Sequence, residues 1–262
     1  MTDRLSGRVA WVTGGGRGIG RSIALAMAAE GAAVAVSSRS ETELEAVAEE
    51  IRGLGSNALA IRADAMSLED TLAAAAGIET ELGPVDILVN NAGGGVPLRS
   101  ERGLSRDQVD AFAFADNVDL NLFSAYRAIR SVLRGMRARG YGRIISIGSG
   151  YAKRSGGAAA YTAAKHGLVG MTKAMAAEYA GEGISINCLC PGWTNTQLLD
   201  LDAMADRRGT SAAEEHARIS SENLQNRVLE PDELGPMAVL LASEDARSIT
   251  GQVISVDGGY KV

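Results

Sequence analysis

The chain has 262 residues and a formal net charge of −6. No basic block or stripe offsets that charge, which argues against nucleic acid as the main partner, and no apolar run reaches the ~18–20 residues of a membrane helix, so a soluble protein without a membrane partner is expected. The length suits one or two domains and can bury a full core.

The N-terminus, Met1-Thr2-Asp3-Arg4, carries an acid and lacks an apolar stretch, so no signal peptide is expected. The first predicted strand is Arg8–Thr13, apolar from Val9 to Val12. A glycine cluster follows, Gly14-Gly15-Gly16-Arg17-Gly18-Ile19-Gly20, and then a helical pattern with Ile23, Leu25, Ala26 and Met27. Strand, tight glycine turn and helix together suit a dinucleotide. The glycines let backbone approach a pyrophosphate, and the helix N-terminus offers free N–H donors.

Further strands are predicted at Ala33–Ser37, Ala58–Arg62, Asp86–Asn90, Arg143–Ile147, Ser185–Leu189 and Gln252–Val256. Helical patterns fill most gaps, at Glu41–Leu54, Leu68–Leu82, Gln108–Arg139, Ala158–Gly181 and Pro231–Ala242. This alternation predicts an α/β fold in a single domain, 1–262. Its core is a doubly wound Rossmann-type parallel sheet of about seven strands with helices on both faces. Continuous apolar strands such as Ile87-Leu88-Val89 agree with burial on both sides. Ligands then bind along the edge made by the strand C-termini. Asn195 to Gln225 breaks the rhythm, being polar and helix-prone.

Tyr161 and Lys165 lie among small, helix-favouring residues. On a helix, i and i+4 share a face, so the Lys165 ammonium can lie beside the Tyr161 phenol. A neighbouring cation favours a phenolate, and a Tyr in that setting can pass a proton to or from an alcohol. Alone, the spacing describes an ordinary solvated face; beside a dinucleotide site it points to carbonyl–alcohol chemistry. Cys188 and Cys190 fall on one face of a strand and read as buried thiols suited to a reducing cytoplasm. His166 and His216 are the only histidines, and no metal site is expected.

The glycine spacing is Thr-Gly-x-x-x-Gly-Ile-Gly, and with Tyr-x-x-x-Lys it resembles the short-chain dehydrogenase/reductase family. Asn90-Asn91-Ala92-Gly93 is similar to that family's segment after the fourth strand. Asn121 stands where the family carries its helix Asn. Gly142 to Ser149, Pro191 to Thr196, and Thr250 to Gly259 match in the same order. The resemblance runs from about Leu5 to Tyr260.

The resemblance implies the roles of the site residues. Tyr161 is the general acid for ketone reduction and the base for alcohol oxidation. Lys165 tunes it and bonds the nicotinamide ribose, Ser149 holds the substrate oxygen, and Asn121 anchors a water in a proton path. The cofactor contacts implied are Gly14, Arg17, Gly18, Ile19, Gly20, Ser38, Arg39, Asp64, Ala65, Asn91, Ala92, Gly93, Tyr161, Lys165, Pro191, Gly192, Thr194 and Thr196. Tyr151 and Trp193 flank the substrate. Residues near 194–226 form the lid. The loop Tyr151 to Gly157 is one residue shorter than in many relatives.

NAD-users of the family usually carry an acid near the end of the second strand. No acid sits between Ala32 and Ser40. Ser38 and Arg39 suit a 2′-phosphate, so NADP(H) is favoured over NAD(H). The expected substrate is a small ketone or secondary alcohol. Two alternatives follow from close groups, a carrier-protein 3-oxoacyl thioester reductase and an NAD-dependent hydroxy-acid dehydrogenase. Hydroxybutyrate dehydrogenases carry a Lys where this chain has Ala158. A thioester reductase gains from a basic patch, and Arg134, Arg137, Arg139 and Arg143 are candidates, although a solvated arginine face explains them as well. A non-catalytic dinucleotide sensor is the rival from another class, but such proteins lack the Tyr and Lys. Relatives usually form tetramers through two long helices, here Gln108–Arg139 and Ala158–Gly181, and the C-terminal strand. The face Ala160, Ala163, Ala164, Gly167, Gly170, Ala174, Ala177 suits close packing on a partner.

Overall fold

The seven apolar runs form strands β1 (Val9–Thr13), β2 (Ala33–Ser38), β3 (Ala58–Arg62), β4 (Ile87–Asn90), β5 (Gly142–Ile147), β6 (Ile184–Pro191) and β7 (Val253–Val256). They pair in one parallel sheet of order β3-β2-β1-β4-β5-β6-β7. The computed structural model describes residues 3–95 and 113–261. Met1, Thr2 and Val262 lie outside the described residues, as does 108–112 of the helix expected from Gln108.

Register explains the two cores. Trp11 lies opposite Leu88, Leu88 opposite Ile144, and Ile144 opposite Ile186, all on one face. Helices α3 (Leu68–Glu81), α4 (Ser124–Arg139) and α5 (Ala159–Tyr179) cover that face. Val12, Val89 and Ile145 line the other face, under α1 (Gly18–Ala29), α2 (Glu41–Gly53) and α8 (Gly235–Ala242). Two short helices, α6 (Leu201–Arg208) and α7 (Ala212–Ser220), occupy the stretch that breaks the rhythm. Asp200 caps α6, and a Ser211–Glu214 capping box starts α7.

Two predicted helices are interrupted. Residues 113–118 are helical, but a π-turn at Asp119–Phe123 precedes α4. Pro231–Ala242 splits into a 3-10 turn, Pro231–Leu234, and then α8. Pro236 has no N–H to carry an α-helical bond across that joint.

The four arginines do not act alike, Arg134 and Arg137 being exposed on α4. Arg137 Nε donates to Glu182 Oε2 at 2.6 Å, and Arg139 Nη2 donates to the Val85 carbonyl at 2.7 Å. Arg143 is buried rather than solvated, 4.4 Å from the Tyr141 ring and paired with Glu244. Arg139 and Arg143 serve the N-terminal edge of the sheet, opposite the edge where ligands bind in such folds.

The small-residue face of α5 divides. Ala164 is buried in its own chain, and a Cβ on Gly167 would press on Leu122. Ala163, Gly170, Ala174 and Ala177 remain exposed. Phe123 and Tyr126 lie exposed at the start of α4. Cys188 and Cys190 are buried and free with sulfurs 3.8 Å apart, and the neighbouring thiol together with burial pushes Cys188 up.

Leu88 is fully buried at the centre of the sheet, between Trp11 and Ile144. Leu88→Ala should lower unfolding stability by about 3 kcal/mol, read by urea denaturation. A loss below ~1 kcal/mol would show that this layer is not tightly packed.

Candidate active site

The site begins where β1 and β4 end side by side. Thr13 Oγ1 accepts from the backbone N–H groups of Asn91 and Ala92, both at 3.1 Å. Asn91 Nδ2 donates to the carbonyls of Thr13 and Gly14, at 3.1 and 2.9 Å. Gly14 has φ +63, which favours glycine. Gly20 packs so closely on the Gly14 carbonyl and the Asn91 amide that any Cβ would collide with them. The glycines are therefore required by contact as well as by turn geometry.

α1 begins at Gly18, and its N-cap, Arg17, makes no side-chain capping bond. By contrast, Ser40 and Ser67 cap α2 and α3. The first N–H groups of α1 thus stay available to an anion. A cleft of about 370 Å³ runs past this terminus along the strand ends. Gly14, Arg17, Gly18, Ile19, Ser38, Arg39, Asp64, Ala65, Asn91, Ala92, Gly93 and Thr196 all line it. Its length, its glycine floor and its uncapped helix end fit a dinucleotide.

Arg39 is exposed there and makes no ion pair among the described residues. Arg17 is paired, its Nη1 3.3 Å from Glu43 Oε1. Asp64 Oδ1 accepts from the Met66 N–H at 2.9 Å, so this carboxylate also shapes the turn before α3. The window Ala32 to Ser40 holds no acid, yet Glu43, from the first turn of α2, also lines the cleft.

A second pocket of about 210 Å³ adjoins the cleft, sharing Ile19, Gly95, Thr196 and Leu198 with it. Ser149, Tyr151, Tyr161, Pro191, Gly192, Trp193 and Thr194 line it together. Ser149 Oγ accepts from the Tyr151 N–H at 3.2 Å, which leaves the hydroxyl hydrogen free to point elsewhere. Lys165 is buried behind Tyr161, its Nζ 5.6 Å from the ring centroid and donating to the Ile147 carbonyl at 2.8 Å.

Asn121 is 1% exposed. Its Oδ1 accepts from the Gly94 N–H and its Nδ2 donates to the Gly94 carbonyl, both at 2.9 Å; Nδ2 also donates to the Asn117 carbonyl at 3.0 Å. A Cβ on Gly93 would stand 2.8 Å from Asn121 Oδ1 and 3.4 Å from Lys165 Nζ, so the missing Cβ keeps a gap between them.

Sequence reasoning missed part of the wall. Tyr260 lines the pocket and packs edge-on to Tyr151, with centroids 6.1 Å apart. Burial, with Tyr151 nearby, pushes its phenol well up. Its signal was an aromatic directly after Asp257-Gly258-Gly259. Glu222 Oε2 accepts from Trp193 Nε1 at 2.9 Å and fixes that ring; nothing local in the sequence marks this acid. Among the described residues no cluster of His, Cys, Asp and Glu could hold a metal, and no helix is long and apolar enough to cross a membrane.

The family model described as short chain dehydrogenase matches residues 8–205. Acetoacetyl-CoA reductase of Rhizobium meliloti (strain 1021) is 35% identical over 257 residues, covering 96% of this chain and 98% of that protein. D-beta-hydroxybutyrate dehydrogenase of Cupriavidus necator is 35% identical over 265 residues, covering 98% of each. The crystal structure of a variant actinorhodin polyketide ketoreductase with NADPH has a TM-score of 0.88 and 35% identity, over 100% of this chain and 99% of that one.

Proposed function

The chain belongs to the short-chain dehydrogenase family, and from that premise we propose that it interconverts a ketone and a secondary alcohol with NADP(H), Tyr161 serving as acid and base. One observation carries the reading: Ser149 and Tyr161 share a pocket that opens onto the long cleft, with Lys165 buried behind.

The nicotinamide, when bound, supplies or accepts the hydride. The protein supplies position and the proton. The Ser149 hydroxyl donates to the substrate oxygen and orients it. Tyr161 donates its proton to that oxygen during reduction and takes it back during oxidation. Lys165 spends one N–H on Ile147 and keeps the others for the nicotinamide ribose and for Tyr161. Asn121 and Lys165 face each other across Gly93, and a water between them would begin the path to solvent. The α1 terminus and glycine loop take the pyrophosphate, Asp64 and Ala65 the adenine side, and Pro191, Gly192, Thr194 and Thr196 the nicotinamide side. Ser38 and Arg39 take the 2′-phosphate.

The lid is the stretch near 194–226, carrying α6 and α7; Leu198 and Leu199 bring it to the pocket wall. No described residue lining the pocket is cationic, which weighs against a free carboxylate as the main anchor and so against a hydroxy acid. The largely apolar wall of Trp193, Leu198 and Leu199 suits a neutral ketone and leaves a 3-oxoacyl thioester as the second reading, supported by the acetoacetyl-CoA reductase relative. The two free buried thiols suit a cytoplasmic setting.

Tyr161→Phe should lose at least ~10²-fold in ketone turnover while still binding cofactor. Near wild-type turnover across a panel of ketones would remove Tyr161 from the chemistry. Binding without any turnover by the wild type would favour the sensor.

Arg39→Ala should weaken NADPH by roughly tenfold to a hundredfold and leave NADH nearly unchanged, because charge-assisted bonds to the phosphate are lost. Ser38→Asp should swing preference toward NADH. Comparing kcat/KM for both cofactors tests this, and a wild type that prefers NADH refutes it.

The exposed Ala163, Gly170, Ala174 and Ala177, with Phe123 and Tyr126, suit a homotetramer. Light scattering at micromolar concentration should report a tetramer, or at least a dimer; a clean monomer rules the assembly out.

A further inference from the structure

α2 opens with Ser40-Glu41-Thr42-Glu43, the Ser-x-x-Glu pattern of a capping box. The same pattern at α7 closes fully: Glu214 Oε2 accepts from the Ser211 N–H at 2.8 Å, and Ser211 Oγ accepts from the Glu214 N–H at 3.3 Å. At α2 only one half forms. The Glu43 N–H donates to Ser40 Oγ at 3.4 Å, but the Ser40 N–H donates to Ser38 Oγ at 3.3 Å. Ser38 thus takes the place of the Glu43 carboxylate in the cap, and that carboxylate turns away from its own helix.

It reaches the glycine loop instead. Glu43 Oε1 pairs with Arg17 Nη1 at 3.3 Å. Glu43 Oε2 lies 3.4 Å from the point a Cβ on Gly16 would occupy, and Ser38 Oγ lies 3.3 Å from the same point. Glu43 therefore lines the end of the cleft that Ser38 and Arg39 form.

An acid there acts oppositely on the two cofactors. It repels a 2′-phosphate and occupies the Arg17 guanidinium that could otherwise meet it. It accepts a hydrogen bond from a free ribose hydroxyl. We infer that Glu43 is a specificity-determining residue that narrows the preference set by Ser38 and Arg39 and lets NADH compete for the same cleft. The inference rests on the dinucleotide reading of that cleft.

The plain alternative is an ion pair that merely ties α2 to α1. Arg21 and Glu50 form such a pair further along the same helices, outside the cleft lining. They provide the control. NADPH and NADH are titrated into wild type, Glu43→Gln and Glu50→Gln, following nicotinamide fluorescence at low and high salt. Glu43→Gln should bind NADPH about fivefold to tenfold more tightly at low salt, with NADH unchanged or weaker. The gain should fade toward ~1 M salt, where the screening length falls to ~3 Å. Glu50→Gln should move neither cofactor.

Unchanged NADPH affinity in Glu43→Gln overturns the inference, as do equal gains for both cofactors or the same gain from Glu50→Gln. If both cofactors bind the wild type and Glu43→Gln changes nothing, this inference alone fails. A wild type that binds neither overturns it together with the cofactor reading.

Discussion

Thr13 and Asn91 hold the ends of β1 and β4 at a fixed separation, and the site is hung from that tie. The two strands are neighbours in the sheet although two strands and three helices separate them in sequence. β1 sends its chain one way, toward β2, and β4 sends its chain the other way, toward β5. A crevice opens between the two connections, as it does wherever strand order reverses. The Thr13 hydroxyl and the Asn91 amide close its floor with bonds that neither strand could make alone. Gly20 then has to pass against Gly14, so α1 starts with its N–H groups aimed along the crevice. Glycine spacing and anion-binding geometry both answer to the packing at the point where sheet order reverses.

The Tyr161 end of the cleft is built on buried polar groups, and both Lys165 and Asn121 are matched. A buried ammonium is costly unless acceptors meet it. Lys165 has the Ile147 carbonyl at the end of β5. Asn121 is costly within an ordinary helix, because its amide competes for backbone partners. Here its amide clasps Gly94 on both sides while the helix relaxes into a π-turn around it. Such turns occur often at functional sites. Within that turn Asn121 lies opposite Lys165 across Gly93.

What could be read in advance follows from how local each cause is. Strands buried on both faces are continuous apolar runs, so Ile87-Leu88-Val89 and its counterparts were visible within a residue or two. The glycine cluster and Tyr161/Lys165 carry their geometry in their spacing. The π-turn could not be read, because Gly94, the partner of the Asn121 amide inside it, lies far off in sequence. The break at Pro236 was legible in principle, since two prolines stand in Pro231–Ala242. Arg143 looked like one of a row of surface charges, but the start of β5 carries it into the core beside Tyr141. Ala164 and Gly167 looked available to a partner because composition does not reveal which side of a helix meets its own sheet. Glu43 could not be read from β2 because it lies beyond that strand's end in sequence, and only the fold brings the first turn of α2 back over that end.

The two ends of the cleft differ in how freely they can change. At the Tyr161 end Lys165 and Asn121 are almost wholly buried, and replacing either strands a polar partner. At the far end of the cleft Arg17, Arg39 and Glu43 stand in solvent contact. Exposed charges interact by only about 1 kcal/mol, and none of the three is needed to fill the core. Their balance can therefore shift between a phosphate and a hydroxyl without disturbing the floor that Thr13 and Asn91 hold. On the proposed reading, cofactor choice would rest on exposed side chains that the floor does not need, and the proton path on the buried Lys165 and Asn121.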